Sequence, residues 1–326
     1  MDFVPRLVGV GFVLLFALAV DTSADSNYEK ELESVKLYFY SPSMEHEQEA
    51  ELFEPTPTTD LRRQLKVLIH GWISDRENSS ITPIREAYLA QDAHNLLVAD
   101  WSDIAYMPYS KSRELVLPAA NRIGDSLLRF MQRLGIDNSQ VHVIGHSLGA
   151  HIAGNVGRFF DGKLARVTAL DPAKPRFSRE SKDAVGPDAA QFVDVIHTDG
   201  LTLGEDIERG HADFFANSGI APQPGCETLD IVTLHGCSHF RSTAFFAESI
   251  QLPNNFIGCA CTREEISKKY EICLPDVRDA SLRECVPMGE ALQPRLVSRN
   301  REECRQVGSN LLCYNACFIF QCPRNV

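Results

Sequence analysis

No stretch of this chain gathers Lys and Arg, which total 32 against 44 Asp and Glu over 326 residues, a formal net charge of -12. Contact with a phosphate backbone needs clustered cations, so the composition argues against nucleic acid as a partner. It also disfavours steering onto a strongly anionic membrane. Internal repeats and low-complexity blocks are absent. With 44% hydrophobic and 23% charged residues, that sets aside disordered, collagen-like and coiled-coil chains. Beyond Val20 no long apolar run occurs, so no transmembrane segment is predicted. The cysteines do not repeat as paired C-x-x-C units, which counts against a zinc site.

What is present points first to a compartment. Arg6 precedes the apolar run Leu7 to Val20, too short for the roughly 20 residues that span a bilayer. Small and polar residues follow, with Thr22 and Ala24 before Asp25. Residues 1–24 therefore read as a secretory signal and the protein as secreted. There are ten cysteines, and Cys259, Cys261, Cys273, Cys285, Cys304, Cys313, Cys317 and Cys322 all follow Asn255. In an exported chain such a cluster is expected to form disulfides. Asn78-Ser79-Ser80 is a sequon suited to a surface loop, so Asn78 is a candidate glycosylation site.

Short apolar runs alternate with helix-like stretches, the pattern of an α/β protein with a mostly parallel central sheet flanked by helices. Strands are predicted at Val35–Tyr40, Lys66–His70, Asn95–Asp100, Gln140–Ile144, Ala165–Leu170 and Phe192–His197. Their near-continuous Val, Ile, Leu and Phe suit strands covered on both faces. Pro118–Leu134 is an amphipathic helix, with Ile123, Leu127, Leu128, Met131 and Leu134 on one stripe and Gly135 placed to end it. The domain reading is a signal at 1–24, a catalytic domain at 25–258, and a cysteine-rich segment at 259–326 that completes it or is appended to it.

The strongest chemical signal is Val141–Gly154, VHVIGHSLGAHIAG. Gly145-His146-Ser147-Leu148-Gly149 satisfies G-x-S-x-G, with a β-branched strand before it and a helical pattern after it. That is the context of a nucleophile elbow. The serine hydroxyl then projects above the sheet, and the following helix aims N–H groups at developing negative charge. A nucleophilic serine needs a base, and the base needs an orienting acid, in the chain order Ser, acid, His. Asp171 ends a strand just before Pro172 and is favoured by position over Asp194 and Asp199. For the base, His197, His211, His235 and His239 all remain open. His239 is read in a loop just before the helix-like Thr243–Ser249.

Six motifs in order carry a resemblance: VLIHGW at 67–72, GHSLGAHIAG at 145–154, LDPAKP at 170–175, FVDVIHTD at 192–199, GHADFF at 210–215 and CSHFRS at 237–242. Together they resemble the pancreatic lipase family of secreted α/β-hydrolase esterases over roughly residues 35–258. The resemblance implies Ser147 as nucleophile, Asp171 as triad acid and His239 as triad base. It also implies the backbone N–H groups of Trp72 and Leu148 as oxyanion hole. His70, His146 and His151 read as structural supports. Cys226 and Cys237 resemble the pair that closes the family's lid, here only Glu227–Gly236, and the His197–His211 segment is short as well.

In this family two short loops go with phospholipase A1 activity, with triglyceride lipase or galactolipase as the alternative. A lipid-binding or yolk-type protein without turnover is the reading of another class. The expected partner is phospholipid or another lipid at a lipid–water interface, met by a monomer. Leu229, Ile231, Val232 and Leu234 either touch that surface or pack over the cleft. The chain is too short for the family's appended β-sandwich. The family's calcium-binding stretch before FVDV holds Ser181, Ala184, Gly186 and Ala189 at the ligand positions, with Asp183 and Asp188 nearby. No cofactor and no metal are therefore expected.

Overall fold

The computed structural model describes residues 28–260 apart from 43, 45, 58 and 235, together with 285–298, 305–307, 310–312 and 316–320. Residues 1–24, read as a signal, and His235, Cys261, Cys273, Cys304, Cys313 and Cys322 lie outside the described residues. The strands are β1 (Lys36–Tyr40), β2 (Gln48–Glu49), β3 (Leu65–Ile69), β4 (Asn95–Asp100), β5 (Val141–His146), β6 (Arg166–Leu170), β7 (Val193–His197), β8 (Ala212–Ala216), β9 (Ile257–Ala260), β10 (Cys285–Pro287), β11 (Arg305–Val307), β12 (Asn310–Leu312) and β13 (Ala316–Phe320).

Alternation decides the layers. In β3, Val67 and Ile69 face one core and Leu68 the other; in β4, Leu97 and Ala99 oppose Leu96 and Val98. Successive side chains of a strand point to opposite faces, so strands apolar at nearly every position need cover on both sides. Helices Val116–Leu134 and Leu148–Phe159 cover the first face, packing Ile123, Leu127, Ile152 and Val156 onto it. Helices Thr82–Gln91 and Gly236–Gln251 cover the second, through Ile84, Phe246 and Ile250. Each fully buried side chain of this size contributes about 1.5–3 kcal/mol. Gly135 ends the long helix in the left-handed conformation, φ 69°. Among the described residues no helix is long and apolar enough to cross a membrane.

An 11-stranded sheet runs in the order β10-β9-β13-β8-β7-β6-β5-β3-β4-β1-β2, and β11 pairs with β12 separately. From β4 through β3, β5, β6, β7 and β8 to β13 all neighbours are parallel. β1 is antiparallel to β4, and β9 to β13. The sequence reading omits β2 and every strand from β8 to β13. It also stops β5 at Ile144, although the strand runs on to His146.

The segment after β10 is fastened at the amino-terminal ends of β3 and β6. Glu290 accepts hydrogen bonds from Lys66 Nζ and from Tyr88 Oη, both at 2.6 Å, and Arg166 Nη2 donates to Gly289 O at 2.8 Å. Burial pulls the Lys66 ammonium below the ordinary lysine value, and the Glu290 carboxylate opposes that pull. A disulfide joins Cys259 in β9 to Cys285 in β10.

Candidate active site

Three adjacent strands deliver the site. β3, β5 and β6 lie side by side, and a parallel sheet presents the carboxyl ends of its strands together. β3 leads into the turn His70-Gly71-Trp72, β5 into Ser147 and β6 into Asp171. Ser147 has φ 58° and ψ -121°, a conformation that costs a non-glycine residue about 1–3 kcal/mol. Ile73 (φ 48°) and Asp171 (φ 43°) are also left-handed, so strain gathers at this end of the sheet. The elbow is tight. A Cβ on Gly145 would stand 2.0 Å from Gly149 O, and one on Gly149 would stand 2.3 Å from His70 O. Only glycines let the backbones approach this closely.

His239 lies in the first turn of the helix Gly236–Gln251. This corrects the reading that leaves it in a loop before Thr243. The physical reason is remote from the segment itself. The Asp230 carboxylate accepts the Ser238 N–H at 2.9 Å and the Ser238 hydroxyl, capping a helix start made of weak helix formers. The Cys226–Cys237 disulfide ties the same turn down.

The His239 Nδ1–H donates to Asp171 Oδ2 at 2.6 Å, and Asp171 Oδ1 accepts the N–H groups of Thr198 (2.7 Å) and Asp199 (3.1 Å). A carboxylate only accepts, so Nδ1 carries a proton, and the tautomer this fixes for a neutral ring has its lone pair on Nε2. Ser147 and His239 line one cavity of about 410 Å³ with Trp72, Ile73, Leu203 and Phe240. Both are buried, as is Asp171.

The other candidates have different neighbours. His197 Nε2 donates to Asp213 at 2.9 Å, and His211 Nδ1 accepts the Val193 N–H at 2.9 Å. Asp194 is held by Arg166 in a two-pronged pair at 2.7 and 2.8 Å. Asp199 stays beside the triad: Asp171, Asp199 and His239 bring ligand-type atoms within 4.8 Å of one another. Burial, reinforced by the Asp171 charge, pushes the Asp199 carboxyl up to about 6 against the pull of Thr202.

The three supporting histidines each hold a backbone group. His70 Nε2 accepts the Trp101 N–H, so its Nδ1–H donates to Gly71 O at 3.0 Å and braces that turn. His146 reaches His239 O through Nε2 at 3.2 Å. His151 spans Ala173 O at 2.8 Å and the Val185 N–H at 3.1 Å.

The Lipase family profile matches residues 29–306. The chain belongs to the Lipase family. It is 34% identical to the pancreatic triacylglycerol lipase of Myocastor coypus over 220 residues, 61% of this chain and 48% of that protein. Against the pancreatic lipase-related protein 2 of the same species it is 33% identical over 236 residues, 66% of this chain and 50% of the other. The pancreatic triacylglycerol lipase of Oryctolagus cuniculus is 34% identical over 219 residues, 61% and 47% of the two chains. The chain thus spans about half the length of the curated relatives it matches.

In this lipase-family chain the loop closed by the Cys226–Cys237 disulfide holds a short helix, Leu229–Thr233. Its apolar side chains point outward: Ile231, Val232 and Leu234 are 76–80% exposed and Leu229 is 52%. In this conformation they present an apolar face to solvent.

The calcium that the family implies does not fit the 181–190 loop, where calcium would need six to eight oxygen ligands. No carboxylate occupies the expected positions. Ser181 Oγ accepts the Ser178 N–H at 2.9 Å, and Ala184 O accepts from Arg158 at 2.8 Å. Asp183 and Asp188 are each gripped by an arginine.

The buried histidines set an acid limit. Burial pushes His151 down to about 3, and pushes His142 and His146 well below the ordinary histidine value. Lys66 and Arg166 add to the effect for His142, and the neighbouring His239 ring adds to it for His146. Their neutral folded forms contribute stability that is complete above about pH 6.5 and is lost as pH falls toward the folded values, because only the unfolded chain takes up the protons. His197 works in the opposite sense: burial lowers it, but Asp213 overcomes that and raises it. The expected result is a melting temperature that falls steadily from pH 6.5 to 4.5. A flat profile in thermal scans over that range contradicts this account.

Proposed function

We propose that this chain is a secreted serine ester hydrolase that cleaves the sn-1 acyl ester of phospholipids. The observation that carries ester hydrolysis is a His239 hydrogen-bonded to Asp171 that lines one cavity with a serine on a strained elbow. In the proposed reaction His239 Nε2 takes the Ser147 proton as Oγ attacks the ester carbonyl. It then returns the proton to the leaving alcohol, and a water repeats the cycle on the acyl-enzyme. Leu148 opens the helix Leu148–Phe159, so its N–H has no intrahelical partner. The Trp72 N–H lies in the turn whose Gly71 approaches the Ser147 side chain, a Cβ there standing 3.0 Å from Ser147 Cβ. These two amides are assigned to the tetrahedral oxyanion, where each donor is worth about 10²–10³ in turnover.

The phospholipid assignment rests on the short lid and the short 197–211 segment, which leave room for a polar headgroup beside the scissile bond. The outward apolar lid face supports contact with a lipid surface. A second reading, triacylglycerol hydrolysis, is favoured by the names of the relatives matched at 34% identity. Purified protein on 1-palmitoyl-2-oleoyl phosphatidylcholine is expected to release palmitate. Fatty acid release from triolein alone would overturn the phospholipid reading and leave ester hydrolysis standing. Export is supported by the apolar run 7–20 and by two disulfides. Glycosylation is proposed at Asn78, half-buried in the turn before helix Thr82–Gln91, where its Oδ1 accepts the Ser80 N–H at 3.3 Å.

A further inference from the structure

The loop between β6 and β7 lies against the helix Leu148–Phe159 at Val185 and Ala189, and Arg158 is the hub. This arginine sits in the last turn of the helix, where the aligned carbonyls favour a cation. Its Nε donates to Asp188 Oδ2 and its Nη2 to Asp188 Oδ1, both at 2.8 Å. The same Nη2 donates to Ala184 O at 2.8 Å, and Nη1 reaches Asn155 Oδ1 at 3.2 Å. Asn155 Nδ2 in turn donates to Asp183 O at 2.7 Å, while Arg113 grips the Asp183 carboxylate at 2.5 and 3.0 Å.

We propose that the Arg158 guanidinium takes the structural place of a divalent cation in the 181–190 loop, so that the loop is held by a side chain and binds no calcium.

The space argument is direct. A Cβ on Gly186 would stand 2.8 Å from Asp188 Oδ1 and 3.0 Å from Arg158 Nη2. The fork therefore fills the spot where a ligand side chain at 186 would enter. The charge argument agrees. A guanidinium is permanently cationic and offers planar, forked donors, so one group can serve a carboxylate and a carbonyl together. Calcium arriving here would face that cation, and displacing the arginine would free few oxygens for a metal that needs six to eight. The loop also donates the Val185 N–H to His151, whose other nitrogen holds Ala173 O, two residues after Asp171. Arg158 thus steadies the strand end that carries the acid, through His151.

The test does not depend on ester hydrolysis, because its readouts are stability and protease access. Thermal unfolding and limited trypsin digestion are run on the whole protein with excess calcium chloride and with EDTA, reading cleavage after Arg179 and Lys182 inside the loop. For the unaltered protein both readouts are expected to be the same in the two conditions. Arg158→Met is expected to lower the melting temperature by about 3–6 °C, given roughly 2–4 °C per kcal/mol for a chain of this size. It should also speed cleavage at both sites, with no rescue by calcium. Arg158→Lys should recover part of the loss, since it keeps the charge without the fork. Calcium raising the melting temperature or protecting Arg179 and Lys182 in the unaltered protein overturns the proposal, and so does an Arg158→Met protein that melts and digests normally. If Arg158→Met does not fold, the calcium comparison on the unaltered protein decides alone.

Discussion

Ser147→Ala is expected to reduce hydrolysis of a soluble ester such as p-nitrophenyl butyrate by about 10⁵–10⁶-fold, the size of loss seen when a triad nucleophile is removed. The fold should be untouched. The backbone at this position is fixed by Ser147 N–H to Leu170 O at 3.0 Å and by Ala173 N–H to Ser147 O at 3.2 Å, and alanine keeps both. The two oxyanion donors also stay in place, so a residual rate above that of water should remain. Labelling by a fluorophosphonate probe, strong in the unaltered protein and absent in Ser147→Ala, is the matching direct measurement. Equal labelling of the two forms would place the nucleophile elsewhere. No labelling of either would favour a lipid carrier that keeps the fold without turnover.

Asp171→Asn is expected to cost about 10⁴-fold in kcat, for a reason that the hydrogen bonds make specific. Two backbone donors, Thr198 N–H and Asp199 N–H, point at Oδ1. An asparagine must turn its amide oxygen toward them, which leaves its NH₂ facing His239 Nδ1. The imidazole then has to accept at Nδ1 and carry its proton on Nε2, where it cannot take the serine proton. Asp199→Asn is the comparison. Its carboxylate accepts from the Thr202 hydroxyl and from the Leu203 N–H at 3.2 Å, so the loss should stay below about tenfold. Steady-state kinetics on the two variants separates them, and the reverse order of effects would transfer the acid role to Asp199.

The sequence exposes whatever is decided locally. The β-branched run before Ser147 and the glycines at 145 and 149 are enough to specify the elbow, because the strain at Ser147 and the close approach of Gly145 to Gly149 arise within five residues. Asp171 is legible from a strand that stops at a proline. His239 is not separable from His235 by local signals, since the cap that makes its turn helical comes from Asp230 in the lid. Arg158 looks like an ordinary helix-end arginine until Ala184 O and Asp188 are seen beside it. Lys66 reads as an isolated charge in an apolar strand, because its partner Glu290 lies 224 residues away. The buried Asp213 and the small residues Ala212 and Ala216 hide β8, which lies between β7 and the distant β13.

That last pairing has a bearing on how the molecule is made. Residues 316–320 sit between β8 and β9, in register with 212–216. A ribosome releases residues 212–216 well before their partner, and during that interval β8 presents a bare edge to whatever chaperones or neighbouring chains are near. A message truncated shortly before codon 316 would yield a product whose sheet stays open at β8 even though Ser147, Asp171 and His239 were all present.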